Sequence, residues 1–142
     1  MPARYLLDTN IVSYFVRGNF QAVRDRLERI PSESLAISAV TEAELRYWVL
    51  CRPGSLRTRV GVEDVLARIP SLPWDTHAAQ SFADSRDALK RKGQVLSTAG
   101  LMIAAHALSL GLTLVTHDQV FAYIDGLKIE DWTIEAYLHS SI

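Results

Sequence analysis

Cysteine is almost absent from the sequence, and this excludes several kinds of protein. Only one of the 142 residues is a cysteine, so the chain has no internal disulfide and no metal site built from several thiolates. That residue, Cys51, ends the apolar run Tyr-Trp-Val-Leu-Cys. We therefore expect it to be a small buried residue rather than a nucleophile.

Long hydrophobic runs and a strong charge bias are also missing. No apolar run approaches the ~20 residues that a membrane-spanning helix needs. Asp8 and Asn10 lie where a signal peptide would have its apolar core, so we expect a cytoplasmic protein without a membrane partner. The net charge is −1, so a nucleic-acid partner would need a local basic patch. With 49% hydrophobic residues, residues 1–142 are expected to form one globular domain.

Several common catalytic motifs do not occur. The sequence has no Gly-x-Ser-x-Gly elbow, no Gly-Lys-Ser/Thr phosphate loop and no His-Glu-x-x-His zinc helix. Its four histidines have no spacing typical of metal ligands. These absences exclude the familiar serine hydrolases, P-loop enzymes and zinc proteases.

Short apolar segments alternate with amphipathic helical segments along the whole chain. Residues 5–7, 35–38 and 113–116 have the pattern of strands buried on both faces. Residues 72–74 and 126–130 suggest further short strands. Because the connections are short, the pattern predicts an α/β fold with a mostly parallel central sheet and helices on both faces.

Acidic residues follow three of these predicted strands. Asp8 ends the first, Glu44 lies in the helix after the second, and Asp118 follows the third. Parallel strands bring their carboxyl ends to one edge of a sheet, so Asp8 and Asp118 are expected to face one another there. Such carboxylates raise one another's pKa, and a hard divalent cation such as Mg²⁺ relieves the repulsion. This chemistry suits phosphodiester hydrolysis.

Each of these carboxylates also has a purely structural interpretation. Asp8 is a suitable cap for the following helix, and Asp118 for a turn before Phe121. Thr41 and Glu44 match the capping-box pattern, in which the first residue begins a helix and the fourth closes the box.

Five motifs, in this order, carry a family resemblance: LLDTN at 6–10, ISAVTEAELRY at 37–47, LPWD at 72–75, IAAHA at 103–107 and TLVTHD at 113–118. Together they resemble the PIN-domain family and, more narrowly, its VapC toxin branch. The resemblance implies an endoribonuclease that depends on Mg²⁺ or Mn²⁺ and cleaves structured RNA such as tRNA or rRNA. It also implies a VapB-type antitoxin that blocks the active site, and a homodimer that assembles further with the antitoxin.

The resemblance assigns roles to individual residues. It places Asp8, Glu44 and Asp118 at the first, second and fourth acidic positions of the family's site. Of these, Asp8 and Asp118 are the expected metal ligands, and Glu44 is expected to orient the attacking water or a second metal. The polar positions near the site are Thr9, Asn10, Ser38 and Thr116.

The third acidic position is vacated. The family has an aspartate three residues before the Ile-Ala-Ala-His run, and Gly100 stands there. Glycine inside a helix costs about 1 kcal/mol relative to alanine. We interpret Gly100 as an inactivating replacement of an aspartate; natural divergence, or a metal site completed by water, are the alternatives. If the chemistry is lost, the chain would be a PIN-fold module that only binds antitoxin or RNA.

RNA binding would depend on cations that meet phosphates. Arg46 lies on the helix that carries Glu44. The densest cluster of candidates is Arg86, Lys90, Arg91 and Lys92. The alternative is that this cluster is a solvated helix end, where cations suit the helix dipole. We expect His106 to be a packing residue, and His117 to be a turn residue or a substrate contact.

Overall fold

The computed structural model describes residues 2–134, which contain one five-stranded sheet. The strands are β1 Tyr5–Leu7, β2 Leu35–Ser38, β3 Ser71–Leu72, β4 Thr113–Val115 and β5 Ile129–Glu130. Their order is β3-β2-β1-β4-β5, and every neighbouring pair is parallel. The predicted α/β fold with a parallel sheet is therefore confirmed.

Residues 2–134 also contain six α-helices. They are α1 Thr9–Arg17, α2 Gln21–Arg29, α3 Ala39–Cys51, α4 Leu56–Arg68, α5 Thr76–Arg91 and α6 Thr98–Leu110. Gly18 ends α1 in the left-handed conformation with φ 73°, which glycine adopts without steric cost. Within residues 2–134, none of these helices has the length and apolarity needed to cross a bilayer.

Successive side chains of a strand point to opposite faces of the sheet, and helices pack against both faces. On one face Leu7 packs in a core shared with α1, α2, α3 and α4. On the other face Leu6 packs in a second core shared with α5 and α6. This burial on both sides explains why the strands are continuous apolar runs rather than alternating ones.

Two local predictions were wrong. Cys51 is exposed, because it is the last residue of α3 and faces solvent. The capping box of Thr41 and Glu44 does not exist, because α3 begins two residues earlier. The hydroxyl of Ser38 accepts a 3.1 Å hydrogen bond from the Val40 N–H and is the true N-cap. Glu44 is thus free for another role.

Strand β1 lies at the centre of the sheet, and this positions the candidate site. Leu7 pairs with Val115 of β4, and the Asp8 N–H donates a 2.9 Å hydrogen bond to the Val115 carbonyl. The residues that follow β1 and β4 therefore leave the sheet side by side at its carboxyl edge.

Candidate active site

Asp8 is a buried carboxylate fixed by two hydrogen bonds. Its Oδ1 accepts from the Thr9 N–H at 2.8 Å and caps α1, and its Oδ2 accepts from the Thr116 hydroxyl at 2.9 Å. Only 7% of the residue is exposed. Burial raises the pKa of Asp8; the two hydrogen bonds lower it, and the charges of Glu44 and Asp118 raise it again. The capping interpretation is correct for Asp8. The same side chain also interacts electrostatically with two other carboxylates.

Thr116 ties Asp8 to Asp118. The Thr116 oxygen donates to Asp8 and accepts a 3.1 Å hydrogen bond from the Asp118 N–H. Oδ1 of Asp118 in turn accepts from the Val120 N–H at 3.1 Å and caps the 3₁₀ helix Gln119–Tyr123. The predicted cap before the Phe121 segment therefore exists, and it uses one of the two carboxylate oxygens of Asp118.

Glu44 is held toward the same place by α1. The Thr9 hydroxyl donates a 2.6 Å hydrogen bond to Oε1 of Glu44. The hydroxyls of Thr9 and Thr41 lie 3.0 Å apart, so the contact between α1 and α3 is polar over several atoms. A carboxylate that accepts such a short hydrogen bond is oriented by it.

The three carboxylates open onto one cleft of about 270 Å³, which we call the carboxylate cleft. Its wall includes Asp8, Thr9, Asn10, Glu44, Ser97, Gly100 and Asp118. The fold therefore brings residues predicted from sequence, on four separate elements, to one cavity. Within residues 2–134, no three histidine, cysteine, aspartate or glutamate side chains converge closely enough to enclose one metal ion.

The donors of the carboxylate cleft fit a hard divalent cation. Asp8 and Asp118 present carboxylate oxygens, and among the described residues no salt bridge neutralises either of them or Glu44. Mg²⁺ prefers oxygen ligands, keeps several waters and commonly uses only one or two protein carboxylates. Asp8 and Asp118 are the residues that would hold such an ion.

Gly100 lies in the first turn of α6, on the wall of the carboxylate cleft. Its N–H donates a 3.0 Å hydrogen bond to the hydroxyl of Ser97, the N-cap. A Cβ added at Gly100 would lie 2.9 Å from that hydroxyl oxygen and 3.6 Å from Cζ of Phe121. A side chain here would face the cleft after a small movement of Ser97. The cost of about 1 kcal/mol expected from the sequence applies to a glycine in a helix interior. Gly100 instead lies in the first turn of α6.

Ser38, one of the predicted polar positions, is not among the residues that line the cleft, and neither is His106. Ser38 is fully buried, and its hydroxyl lies 2.8 Å from Nδ1 of His106. Burial lowers the pKa of His106, and the nearby Asp75 partly opposes this. His106 is thus the packing residue that we expected, and Ser38 supports the helix that carries Glu44. His117 lies apart from them, with Nδ1 2.9 Å from Oδ2 of Asp131.

Three of the five candidate RNA-binding cations have acidic partners on the protein surface. The pairs are Arg46–Glu42 at 2.7 Å, Arg91–Asp87 at 2.6 Å and Lys92–Asp125 at 2.9 Å. The other two, Arg86 and Lys90, line a second cavity next to the carboxylate cleft. None of the five lies among the residues that line the cleft itself.

Sequence reasoning did not single out the loop before α6. Val95 and Leu96 line the carboxylate cleft, and Ser97 caps α6 beside them. A serine before an apolar helical segment indicates a cap, so Ser97 was recognisable from the sequence. Val95 and Leu96 lie in a loop and have no periodicity that would indicate a place in a cleft.

The chain is similar in sequence to a known domain family and to known proteins. The PIN domain model matches residues 5–127. The tRNA(fMet)-specific endonuclease VapC of Salmonella typhimurium is 33% identical over 130 residues, which cover 91% of this chain and 98% of that protein. Ribonuclease VapC2 of Haemophilus influenzae is 30% identical, with 91% of this chain and 98% of that protein covered.

Solved structures of toxin–antitoxin complexes have the same fold. DNA-bound VapBC from Salmonella typhimurium superposes with a TM-score of 0.78 at 33% identity, covering 92% of this chain and 98% of that one. VapBC2 from Rickettsia felis, bound to a DNA fragment from its promoter, gives a TM-score of 0.80 at 27% identity, covering 89% and 96%. The chain is therefore a member of the PIN-domain family and, within it, of the VapC branch.

Proposed function

We propose that this chain is the toxin of a toxin–antitoxin pair: a ribonuclease that hydrolyses phosphodiester bonds of structured RNA, tRNA or rRNA, with the help of Mg²⁺ or Mn²⁺. The observation that carries the proposal is the carboxylate cleft, where Asp8, Glu44 and Asp118 arrive from three separate elements. Relatives named as tRNA(fMet)-specific endonucleases support RNA as the substrate.

Each side chain of the cleft has a proposed role. Asp8 and Asp118 would hold the ion, and a bound ion would supply an activated water and stabilise charge on the phosphoryl group. Glu44, oriented by Thr9, would position the attacking water. Thr116 would keep Asp8 in place through its hydroxyl, and Asn10 would offer a polar contact on the cleft wall.

Gly100 is the reason why we propose weak or absent activity for this chain. A fourth carboxylate at this position would stand on the α6 side of the carboxylate cleft, whose wall also contains Asp8 and Asp118. Without it, Asp8 and Asp118 are left to hold the ion. Loss of a supporting ligand typically costs ~10–100-fold in metal affinity or activity.

The same proposal covers partners and location. Solved relatives are VapBC and FitAB complexes, and this supports a VapB-type antitoxin for this chain. We propose that residues 1–142 act as one domain in the cytoplasm, as a homodimer that assembles further with antitoxin.

RNA cleavage tests the proposal directly. The antitoxin-free chain, Gly100→Asp and Gly100→Asn would be incubated with a broad tRNA and rRNA pool in Mg²⁺, Mn²⁺ or EDTA. Asparagine has the size of aspartate and meets Ser97 in the same way, but it lacks the charge. We expect metal-dependent cleavage by Gly100→Asp, at least 10-fold faster than by the other two proteins.

Two other outcomes would contradict parts of the proposal. Equal cleavage by all three proteins would show that Gly100 is not a vacated ligand position. No cleavage by any of them, together with RNA or antitoxin binding, would favour the second candidate: a PIN-fold module that binds without chemistry. The lack of three converging ligands among residues 2–134 is the observation in favour of that candidate.

A further inference from the structure

A second cavity, of about 290 Å³, lies between the end of α5 and the loop that precedes α6. We call it the side cavity. Leu89, Leu96 and Leu101 give it an apolar wall, and Arg86 and Lys90 also line it. A cavity with an apolar wall and a few polar groups is the usual form of a binding site for a small organic group.

The side cavity adjoins the carboxylate cleft. Val95 and Leu96 line both of them, so the two spaces share one wall. Val95 is 87% exposed, so its side chain is open to a molecule bound at this wall. A chain molecule with its phosphate at Asp8 and Asp118 would have the side cavity as a neighbouring space on the far side of Val95 and Leu96.

The cations of the side cavity differ from their neighbours on the same helix. Within residues 2–134, Arg86 and Lys90 form no salt bridge, whereas Arg91 pairs with Asp87 and Lys92 with Asp125. Arg86 and Lys90 are four residues apart, so they lie on one face of α5. Cζ of Arg86 lies 5.9 Å from the centroid of the Phe82 ring, and this contact leaves its positive charge unneutralised. Two cations without a carboxylate partner among the described residues, beside an apolar cavity, are complementary to a group that is apolar and adjoins negative charge.

We propose that the side cavity binds one unpaired nucleobase of the RNA, next to the phosphate that is cleaved, while Arg86 and Lys90 contact the adjoining phosphates. The inference rests on the proposed ribonuclease function. The cavity lies at the small end of the ~300–1,000 Å³ typical of ligand sites, which suits a single base rather than a longer segment. Splayed-out bases are the usual means by which proteins read RNA sequence.

Mononucleotides test the occupant without any catalysis. In ¹⁵N spectra of the full chain, in EDTA, we expect one or more of the four ribonucleoside 5′-monophosphates to shift the amide signals of residues 93–96. Ribose 5-phosphate, which has the phosphate but no base, should shift these signals much less. Equal shifts from ribose 5-phosphate would show a phosphate site only and would overturn the base-binding proposal.

Matched variants test the wall and the cations separately. Binding of a fluorescent single-stranded RNA would be measured by anisotropy in EDTA. Val95→Ser should weaken binding about 5- to 10-fold, because it removes apolar area from the shared wall. Val60→Ser, at a 52% exposed position on α4, is the matched control and should change nothing.

The double variant Arg86→Ala/Lys90→Ala should lower the slope of log Kd against log salt by about 1.4, since each phosphate contact on a single strand contributes about 0.7. Arg59→Ala removes one charge at an exposed position of α4 and should leave that slope unchanged. Equal slopes for the double variant and the unmodified chain would overturn the role of Arg86 and Lys90.

A second copy of the chain is the competing occupant. If Val95→Ser changed the sedimentation of the protein but not its RNA affinity, the side cavity would be an interface and the proposal would be wrong. Its failure is also separable from that of the proposed function. Cleavage by Gly100→Asp with unchanged RNA binding in Val95→Ser would overturn the base site alone. Base-dependent shifts without cleavage by any variant would support the base site and overturn the ribonuclease.

Discussion

The hydroxyl of Thr9 donates a 2.6 Å hydrogen bond to Oε1 of Glu44, 35 residues further along the chain. Thr9 directly follows Asp8, so this one bond fixes the distance between the helix after β1 and the helix after β2. A cleft built from residues of several elements needs such ties, because side chains must be held within ~0.5 Å of their working geometry. Thr9 is therefore as much a part of the site's architecture as the carboxylates are.

Replacement of Thr9 by valine tests this tie. Thr9→Val keeps the shape of the side chain but leaves the partly buried Glu44 without its donor. We expect the free energy of unfolding to fall by about 1.5–3 kcal/mol, the cost of a lost hydrogen bond to a charged group. Urea unfolding measures it. Ser13→Ala, which removes an exposed hydroxyl bond on the same helix, is the control and should cost less than about 0.5 kcal/mol.

Ser38 should contribute more to stability than an ordinary helix cap. Ser38→Ala removes the N-cap of α3 and leaves Nδ1 of the buried His106 without its partner. The cap is worth ~1 kcal/mol and the unsatisfied nitrogen a further ~1–3 kcal/mol. Ser97→Ala removes an exposed cap only and should cost ~1 kcal/mol. Equal losses in chemical denaturation would show that the bond to His106 contributes nothing.

Asp8 should give the fold a recognisable pH dependence. Burial raises the pKa of Asp8 above its ordinary value of 3.8, so the folded chain holds this proton more tightly than the unfolded chain does. As pH rises and Asp8 becomes charged, the free energy of unfolding therefore falls, because the folded chain disfavours the charged form. The stability of Asp8→Asn relative to the unmodified chain should increase from about pH 4 to pH 7.

Thermal unfolding of the two proteins across that pH range measures the difference. Glu63→Gln removes one charge at an exposed position of α4 and serves as the control. Parallel stability curves for Asp8→Asn and the unmodified chain would mean that Asp8 has the same pKa in the folded and unfolded states.

Divalent metal should stabilise Gly100→Asp more than the unmodified chain. If the added carboxylate tightens binding ~10–100-fold, the extra stabilisation at saturating Mg²⁺ or Mn²⁺ is about 1.4–2.7 kcal/mol. Differential scanning calorimetry with metal or EDTA would detect it as a larger rise in Tm. Gly100→Asn is the control, and an equal rise in Asn and Asp variants would contradict a ligand role for this position.

The sheet and two of the carboxylates were predictable from the sequence for a physical reason. Strands buried on both faces are continuous apolar runs, and their carboxyl ends meet at one edge. This placed Asp8 and Asp118 side by side before the fold was known, and the pairing of β1 with β4 confirms the adjacency.

The environment of Glu44 was not predictable in the same way. A local capping pattern competed with the long-range bond from Thr9, and only the tertiary structure shows that Ser38 begins the helix. The ion pairs of the basic cluster were only partly predictable from the sequence. Asp87 and Arg91 have the i,i+4 spacing of a helical ion pair. The bond of Lys92 to Asp125 has no local signature.

The strand order also dictates when the cleft comes into existence. β1 is synthesised first but is paired on one side by β4, and the Thr116 hydroxyl that holds Asp8 lies 108 residues downstream. Until β4 has left the ribosome, one edge of the central strand stays open, and open edges invite pairing with other chains. The growing polypeptide consequently lacks the assembled carboxylate cleft for most of its synthesis, so a prematurely terminated chain would lack any chemistry that depends on that cleft.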